Sequence, residues 1–416
     1  MSPPNVLVLG TGEYVTGMGP DAPVDSDKGA GVIALVLLDL ARQGQLGEIT
    51  LCGRDGARLP AIRQHLAEQI TARYAGLDAS SLRTLPADGA RDEDMWRSAI
   101  AAMTPGDLVM VVTPDHLHAE MTLAAIEAGL HTLVVKPLVH RLDEHQAIIA
   151  AAARSGVLVM VEQHKRFDPI YSDARARMRT LGPLGFFSAY MSQPLKQLRT
   201  FQRWAGIQSD ISYYLNAHHI DLLCWMMAGR GRPERVTASR AAGLGAQQLG
   251  RPIEDTITLL VDWTHCDIDA PATSVFTASW TAPEAEVHSQ QRFFCLCHGG
   301  EVRVDQAHRG YELARTGIGL RSLNPLYMRY EPQDGEFVGQ SGYGYRGIAV
   351  FVEAVAELRA RTQTLASLNQ RLPTACSTLQ NTAILEAGRR SLDTDKPVVI
   401  RYNGDTVAPI GFLETK

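Results

Sequence analysis

Short, continuously apolar runs alternate with longer amphipathic stretches over the first 160 or so residues. The apolar runs have the length and composition of strands that are buried on both faces of a sheet. They occupy positions 6–9, 49–52, 108–112, 132–135 and 157–161. The stretches between them have helical character and occupy positions 31–42, 57–74, 92–103, 119–128 and 143–154. Regular alternation of strand and helix predicts a parallel sheet, with ligands bound at the carboxyl ends of its strands.

The second half of the chain has a different pattern. After a predicted helix at 212–227, strand-like runs follow one another without intervening helices, at 235–241, 255–263, 274–282 and 291–304. Such spacing predicts antiparallel pairing. Helical patterns return at 347–361 and 374–392. We therefore expect an α/β Rossmann-type doubly wound parallel sheet over 1–163, then an α+β domain with a large, mainly antiparallel open sheet over 164–416.

Length and composition agree with two domains and exclude several classes of protein. The chain has 416 residues, of which 45% are apolar and 20% charged, and its net charge is −5. This charge gives no reason to expect nucleic acid or an anionic membrane as partner. The N-terminus lacks the features of a secretory signal, and the apolar run at 32–40 is too short to span a bilayer. We expect a cytoplasmic protein.

The six cysteines do not form the dense pattern of a disulfide framework. Cys295 and Cys297 stand two apart in a strand-like run, so both side chains should lie on one face of the sheet. A metal site or redox pair would use this arrangement, but no second cluster supplies further ligands. Two buried strand cysteines are therefore the preferred interpretation.

A glycine turn follows the first predicted strand, in the sequence Gly10-Thr11-Gly12-Glu13. Gly10 permits a tight turn, and Gly12 would let the backbone approach a pyrophosphate closely. The third glycine of the usual dinucleotide motif is missing. A segment rich in Gly, Pro and Asp runs to Lys28 instead, and the helix is expected to begin only at 29–31. This insert is either a lid over the site or a solvent loop.

The end of the second strand bears on the choice of cofactor. An acidic residue usually accepts the ribose hydroxyls of NAD there, but this chain has Gly53 followed by Arg54. A guanidinium at that position can hold the 2′-phosphate of NADP in a forked contact. We therefore expect NADP rather than NAD, although the neighbouring Asp55 leaves NAD open.

Several further motifs, taken in order, resemble one known family. They are Thr113-Pro114 with His118, Ala128-Gly129-Leu130-His131, Lys136-Pro137, the segment from His164 to Pro169, the segment from Tyr214 to Leu222, and Glu386-Ala387-Gly388 with Lys396-Pro397-Val398. Together they resemble the glucose–fructose oxidoreductase / inositol dehydrogenase / rhizopine-catabolism (Gfo/Idh/MocA) family and span nearly the whole chain.

The resemblance implies an NAD(P)-dependent oxidoreductase acting on a sugar, glycoside or cyclitol hydroxyl. Lys136 would lie at the cofactor edge and polarise the substrate oxygen, and its bond to Pro137 is a candidate for the cis form. His218, three residues before Asp221, would be the proton acceptor, and Asp221 itself is expected among the catalytic residues. The residues expected to hold the cofactor are Gly10, Thr11, Gly12, Glu13, Arg54, Thr113, Pro114, His118, Lys136 and Lys165. Those expected to meet the substrate are Lys136, Arg166, Tyr214 and His218.

Two departures from the family pattern leave alternatives open. Val135 stands where the family has a glutamate before the lysine. Tyr214 replaces the aspartate four residues before the histidine, so it is a second candidate acid or base, with its pKa lowered by Lys136. Tyr213 is an adjacent rival. Tyr343, Tyr345 and Arg346 are weaker pocket candidates, for which capping and packing are the preferred roles.

Three functional classes remain after these observations. The leading one is the sugar or polyol oxidoreductase, expected to form a homo-oligomer, either a dimer or a tetramer. The second is a cofactor- or sugar-sensing binding protein on the same fold with no turnover. The third, a metal-dependent hydrolase using His218 and His219, is disfavoured because adjacent helix residues project about 100° apart. We therefore expect no metal.

Overall fold

The computed structural model describes residues 2–19, 22–23, 29–79, 82–333 and 336–414. Two compact units are present. The first comprises Met1–Leu138, Ala147–His164 and Leu326–Cys376. The second comprises Val139–Gln146, Lys165–Pro325 and Ser377–Lys416. Residues 139–146, which the sequence pattern assigned to the first domain, lie in the second unit, and residues 326–376, assigned to the second domain, lie in the first unit.

Six parallel strands form the sheet of the first unit, in the order β3-β2-β1-β4-β5-β6. They are β1 (Val6–Leu9), β2 (Ile49–Cys52), β3 (Leu82–Leu85), β4 (Leu108–Val111), β5 (His131–Val135) and β6 (Val159–Glu162). The helices among them are α1 (Glu13–Thr16), α2 (Ile33–Arg42), α3 (Leu59–Leu66), α4 (Met95–Ala101), α5 (His118–Glu127) and α6 (Leu142–Ser155). The predicted doubly wound parallel sheet is confirmed.

This strand order fixes where a ligand can bind. The connections leave β1 and β4 in opposite directions, so a crevice opens at the carboxyl ends of these two central strands. β1 and β4 are buried along their whole length, as their unbroken apolar sequences predicted. The loops after β1, β4 and β5 therefore border the crevice.

The remaining elements begin with α7 (Pro169–Thr180), β7 (Leu184–Pro194), α8 (Gln197–Phe201), α9 (Ala217–Met227), β8 (Gly231–Ala242), α10 (Leu244–Leu249), β9 (Glu254–His265) and β10 (Pro271–Ala282). They continue with β11 (Gln290–Cys297), β12 (Gly300–Asp305), β13 (Glu312–Arg315), β14 (Gly319–Ser322), β15 (Arg329–Gln333) and β16 (Glu336–Ser341). The last are α11 (Tyr343–Arg359), α12 (Leu365–Arg371), α13 (Ala375–Thr394), β17 (Val398–Tyr402) and β18 (Pro409–Glu414).

The second unit is built on an eight-stranded sheet in the order β12-β11-β7-β10-β9-β8-β17-β18. The pairing is antiparallel except between β7 and β10, which run parallel. The large, mainly antiparallel open sheet is therefore confirmed. The run at 291–304 is a hairpin of two strands, and it places Cys295 and Cys297 on one face, both buried and free, with their Sγ atoms 3.8 Å apart.

The returning segment completes the first unit. The Val161 amide at the end of β6 donates to the carbonyl of Pro373 (2.7 Å), and the Gln340 side chain donates to the carbonyl of Leu35 in α2 (3.0 Å). These bonds bring residues more than 200 positions apart into one core. No helix within the described parts of the chain is long and apolar enough to cross a membrane.

Candidate active site

The glycine turn lies at the carboxyl end of β1, and its two glycines are required for different reasons. Gly10 has a φ of +117°, and a Cβ there would lie 2.1 Å from the carbonyl oxygen of Val112, which follows β4. The fold itself therefore requires Gly10. A Cβ on Gly12 would meet no atom of the described residues within 4 Å. Gly12 thus leaves open space over the turn, where the pyrophosphate of a dinucleotide fits.

A helix begins directly after this turn, which corrects the expectation that none starts before 29–31. The amides of Val15 and Thr16 donate to the carbonyl of Gly12 (3.0 and 2.9 Å), and Gly17, with a φ of +78°, ends α1. The insert is fastened beyond this point, because Arg58 donates to the carbonyl of Gly19 (2.5 Å). Residues 20–21 and 24–28 of the insert lie outside the described residues, so its role as a lid stays a prediction.

Arg54, which follows β2, is more than half exposed. Its guanidinium forms an ion pair with Glu93, which is also exposed (3.2 Å). An exposed pair of this kind contributes little to stability and is easily exchanged for a stronger partner. The Asp55 carboxylate accepts from the amide of Ala57 (3.1 Å) and so caps the turn that leads into α3.

Lys136 directly follows β5, and its peptide bond to Pro137 is cis, as predicted. The buried ring of His118 fixes this segment. Its Nδ1 lies 2.9 Å from the carbonyl oxygen of Pro137, and its Nε2 lies 2.9 Å from that of Thr113. The ring therefore joins the loops after β4 and β5. Both nitrogens face backbone carbonyls, and the predicted contact of His118 with the cofactor stays a prediction.

A network at the end of β6 was not predicted. The buried carboxylate of Glu162 accepts from the Tyr14 hydroxyl (3.1 Å) and lies 3.0 Å from Nδ1 of His164. Burial of the hydroxyl, and next the charge of Glu162, raise the pKa of Tyr14 well above its ordinary value. The ring of Tyr343 stacks on His164, with 5.6 Å between centroids, which is the packing role preferred for this tyrosine. The residues of this network come from segments that are distant in sequence, so local patterns could not have revealed it.

Tyr214, His218 and Asp221 have separate surroundings in the second unit. Residues Ser212–Asn216 form a π-helical turn that leads into α9, so the expected α-helix is irregular at its start. His218 is buried in the first turn of α9. Asp221 accepts two bonds from the Arg166 guanidinium (2.8 and 2.6 Å). The Tyr214 ring stacks on Trp280, with 5.3 Å between centroids.

Arg166 and Lys165, which were predicted to meet the substrate and the cofactor, are both buried in the second unit. Arg166 is 6% exposed and bonds to Asp221 and Ser377. The Lys165 ammonium is 3% exposed and donates to the side chains of Gln291 and Gln306. Both charges are thus satisfied inside the second unit. In this structure the two side chains hold α9 and the sheet through partners from distant elements, and their contacts with substrate and cofactor stay predictions.

His219 is buried, and its Nε2 has no hydrogen-bond partner among the described residues. Burial, and next the charge of Lys165, lower the pKa of His219 to about 3. This imidazole therefore stays neutral and is a poor base near neutrality. The described residues contain no group of three side chains suited to a metal ion.

Comparison with known proteins shows what this chain is similar to. Residues 57–163 match the GFO_IDH_MocA family, an oxidoreductase family with an NAD-binding Rossmann fold. The scyllo-inositol 2-dehydrogenase (NADP(+)) of Bacillus subtilis is 27% identical over 208 residues, which are 49% of this chain and 55% of that protein. The 1,5-anhydro-D-fructose reductase of Ensifer adhaerens is 29% identical over 191 residues, 44% of this chain and 55% of that protein.

These matches span about half the length of the curated relatives. The crystal structure of scyllo-inositol dehydrogenase from Lactobacillus casei, with NAD(H) and scyllo-inositol bound, covers 95% of this chain and 99% of its own. Its TM-score is 0.62 at 14% sequence identity. A likeness at this identity concerns the fold, and it extends over both units.

Proposed function

We propose that the chain is a member of the Gfo/Idh/MocA oxidoreductase family and that it transfers hydride between the hydroxyl-bearing carbon of a sugar, glycoside or cyclitol and a nicotinamide cofactor. The observation that carries this proposal is the fixed position of Lys136. His118 holds the loop that contains it against the loop after β4, at the carboxyl edge of the sheet. Open space over Gly12 borders the same edge.

The proposed chemistry assigns one task to each of a few groups. The bound nicotinamide accepts or returns the hydride. The Lys136 ammonium, which is only half-buried, donates a hydrogen bond to the reacting oxygen and stabilises its developing negative charge. Gly10 to Glu13 and the Thr113-Pro114 turn would hold the dinucleotide. These assignments use only side chains and turns of the first unit.

We propose His218 as the group that takes the hydroxyl proton during oxidation. Imidazole is suited to reversible proton transfer near neutral pH. Asp221 lies three residues further along α9, and its bidentate pairing with Arg166 anchors the helix. In this proposal Arg166 and Asp221 are positioning residues, because they orient the helix rather than touch the substrate.

We further propose that NADP is the preferred cofactor. The exposed Arg54 would exchange its weak pairing with Glu93 for the 2′-phosphate. One relative is a dehydrogenase named for NADP(+), and another, at 40% identity over 75 residues, is named for NAD(+). The relatives therefore support both cofactors, and the preference rests on Arg54.

The assembly is proposed to be a cytoplasmic homo-oligomer, a dimer or a tetramer, with no nucleic acid or membrane partner. The second sheet exposes large apolar side chains, among them Leu260 on β9 and Leu296 on β11, which are 43% and 42% exposed. Apolar area of this kind suits contact between copies of the chain.

The first experiment replaces Lys136. We expect Lys136→Ala to lower kcat by at least ~100-fold, because the oxygen loses its charged donor. Binding of NADPH, followed by its fluorescence, should stay within about threefold of wild type. Turnover is measured by nicotinamide absorbance against a panel of sugars, glycosides and cyclitols.

Lys196→Ala is the matched control, since Lys196 is an exposed lysine paired with Glu284 in the second unit (2.9 Å). It should leave kcat unchanged. Normal turnover by Lys136→Ala would overturn the role of this residue. Tight cofactor binding by wild type without turnover across the whole panel would favour the alternative, a sensing protein on the same fold.

A further inference from the structure

Four aromatic side chains of the second unit form a single cluster, which we call the aromatic cluster. Its members are Phe201 at the end of α8, Trp204 in the following turn, Tyr214 in the π-helical turn and Trp280 in β10. Every pair of rings is in contact, with centroids 4.9 to 6.4 Å apart. Rings at these distances attract each other in tilted and offset arrangements.

Three of these rings are partly exposed, and the fourth is buried behind them. Trp280 has no exposed surface, whereas Phe201, Trp204 and Tyr214 are each open to solvent over part of their surface. Clustered aromatic surface is uncommon on a soluble protein unless it binds something. Four rings drawn from three separate segments therefore mark a binding surface more clearly than a scatter of single exposed residues does.

The segment that carries Phe201 and Trp204 is held in place by other parts of the second unit. The Arg251 guanidinium donates to the carbonyls of Gln202 (2.7 Å) and Ala205 (2.5 Å). The Gly206 amide donates to the carbonyl of Ser209 (2.8 Å), which closes the turn after Trp204. The exposed rings are thus ordered before any ligand arrives, which reduces the entropy lost on binding.

Buried polar atoms without partners accompany the aromatic rings. The indole Nε1 of Trp280 has no acceptor, and Oε1 of Gln193 has no donor, among the described residues. These residues are neighbours in the sheet, because Gln193 of β7 lies opposite the irregularity of β10 that contains Trp280. A buried polar group without a partner is unfavourable. Both atoms are enclosed by protein, so the surface that a ligand can reach is formed by the faces of the three exposed rings.

We propose that Phe201, Trp204 and Tyr214 form a stacking platform for a second ring of the substrate, a pyranose joined by a glycosidic bond to the sugar that is oxidised. A pyranose matches this surface because its C–H faces are apolar and its hydroxyls lie around the edge. The inference rests on the proposed oxidoreductase function and specifies its substrate class as a glycoside rather than a free cyclitol.

With Tyr214 in the platform, the roles of the two candidate proton acceptors, His218 and Tyr214, separate. Tyr214 precedes His218 by about one turn of the same helix, so the platform begins beside the proposed acceptor. The Tyr214 ring is stacked on Trp280 with an interplanar angle of 17° and also contacts Phe201 and Trp204. The platform uses the ring face of Tyr214 rather than its hydroxyl. Tyr214 is then a specificity residue, and His218 alone accepts the proton.

The test compares one-ring and two-ring substrates. Steady-state kinetics are measured with methyl glycosides, with disaccharides of the same sugar and with its p-nitrophenyl glycosides. We expect wild type to have a lower KM for the disaccharide than for the methyl glycoside. Trp204→Ala should raise the disaccharide KM about tenfold, equivalent to about 1.4 kcal/mol, with kcat and the methyl glycoside KM unchanged. A selective effect on the p-nitrophenyl glycoside instead would mean that the platform binds an aromatic aglycone, and would overturn the pyranose assignment.

Tyr214→Phe keeps the ring face that the platform uses and removes the hydroxyl, so the ratio of the disaccharide KM to the methyl glycoside KM should stay that of wild type. Loss of kcat on both substrates in this variant would make Tyr214 the acid or base and overturn the inference. Trp225→Ala is the matched control, since Trp225 is also half-buried but lies on α9 against Arg175, outside the cluster. It should leave the ratio of the two KM values unchanged.

Two further measurements keep the outcomes distinct. Circular dichroism tests whether Trp204→Ala is folded. If it is not, Phe201→Leu serves as the second variant. Tryptophan fluorescence, titrated with the disaccharide, should be quenched in wild type and less so without Trp204. Turnover with no difference between the substrates or variants would overturn the platform alone. Absence of turnover on every sugar, with disaccharide binding retained, would contradict the proposed function but not the platform. Absence of both turnover and disaccharide binding would contradict both proposals.

Discussion

At the end of β2, the Arg54 guanidinium is 58% exposed and its partner Glu93 is 53% exposed. A phosphate would replace this weak pair with shorter, charge-assisted bonds. We expect Arg54→Ala to raise the Kd for NADPH at least tenfold and to leave that for NADH nearly unchanged, as measured by fluorescence titration. Arg91→Ala is the matched control, because Arg91 is also exposed and also pairs with Glu93 (2.8 Å). An equal increase in Kd for both cofactors would contradict the proposed preference for NADP.

Single residues also show what local sequence does not reveal. Lys136 follows a strongly apolar strand and precedes a proline, so its place at the strand end was predictable. The roles of Arg166 and Lys165 were not, since their partners stand 55, 126 and 141 positions further along the chain. A charged residue after a strand is equally compatible with a ligand contact and a buried ion pair. The choice depends on which distant side chain the fold brings next to it.

The turn between β1 and α1 provides a test at the scale of an element. Gly12→Ala should fold with an unchanged Tm, because a Cβ there meets no described atom, but it should bind either cofactor at least tenfold more weakly. Gly10→Ala should instead destabilise the first unit by about 2 kcal/mol or more, since it combines a positive φ with a contact of 2.1 Å to Val112. Thermal unfolding and cofactor titration separate the two effects. Wild-type cofactor affinity in Gly12→Ala would contradict a pyrophosphate over this turn.

Elements were predicted where their own sequence carries a periodic signal. The continuous apolar runs gave β1, β2, β4, β5 and β6 correctly. β3 escaped notice because it is an edge strand, and none of its four residues is fully buried. The short helix α1 was missed because glycine, proline and aspartate dominate the segment around it, and these residues locally predict a loop.

Each unit contains a buried, neutral histidine, so the whole molecule should lose stability in mild acid. Burial lowers the pKa of His131 to about 4, and its Nδ1 must stay unprotonated to accept from the amide of Leu158 (3.0 Å). Burial lowers the pKa of His219 to about 3. Unfolded histidine titrates near 6.5, so unfolding takes up protons below that pH. The free energy of unfolding should fall from pH 6.5 towards pH 4, by up to about 3 kcal/mol for His131.

Urea unfolding at several pH values measures this loss. His131→Asn provides the comparison, because an amide oxygen can accept the same backbone bond without titrating. Its free energy of unfolding should depend less on pH than that of wild type between pH 6.5 and 4. Parallel curves for the two proteins would show that His131 does not contribute to acid sensitivity.

By itself, the sequence determined the two-part architecture, the parallel and antiparallel character of the sheets, the glycine turn and the position of Lys136. These follow from local periodicity and from residues that stand close to their own strand ends. Only the tertiary structure decided that residues 326–376 complete the first unit, that Arg166 binds Asp221, and that Tyr214 joins Phe201, Trp204 and Trp280. The reason is physical: burial energy is gained between faces that meet only after folding, and no local pattern specifies which distant face will be the partner.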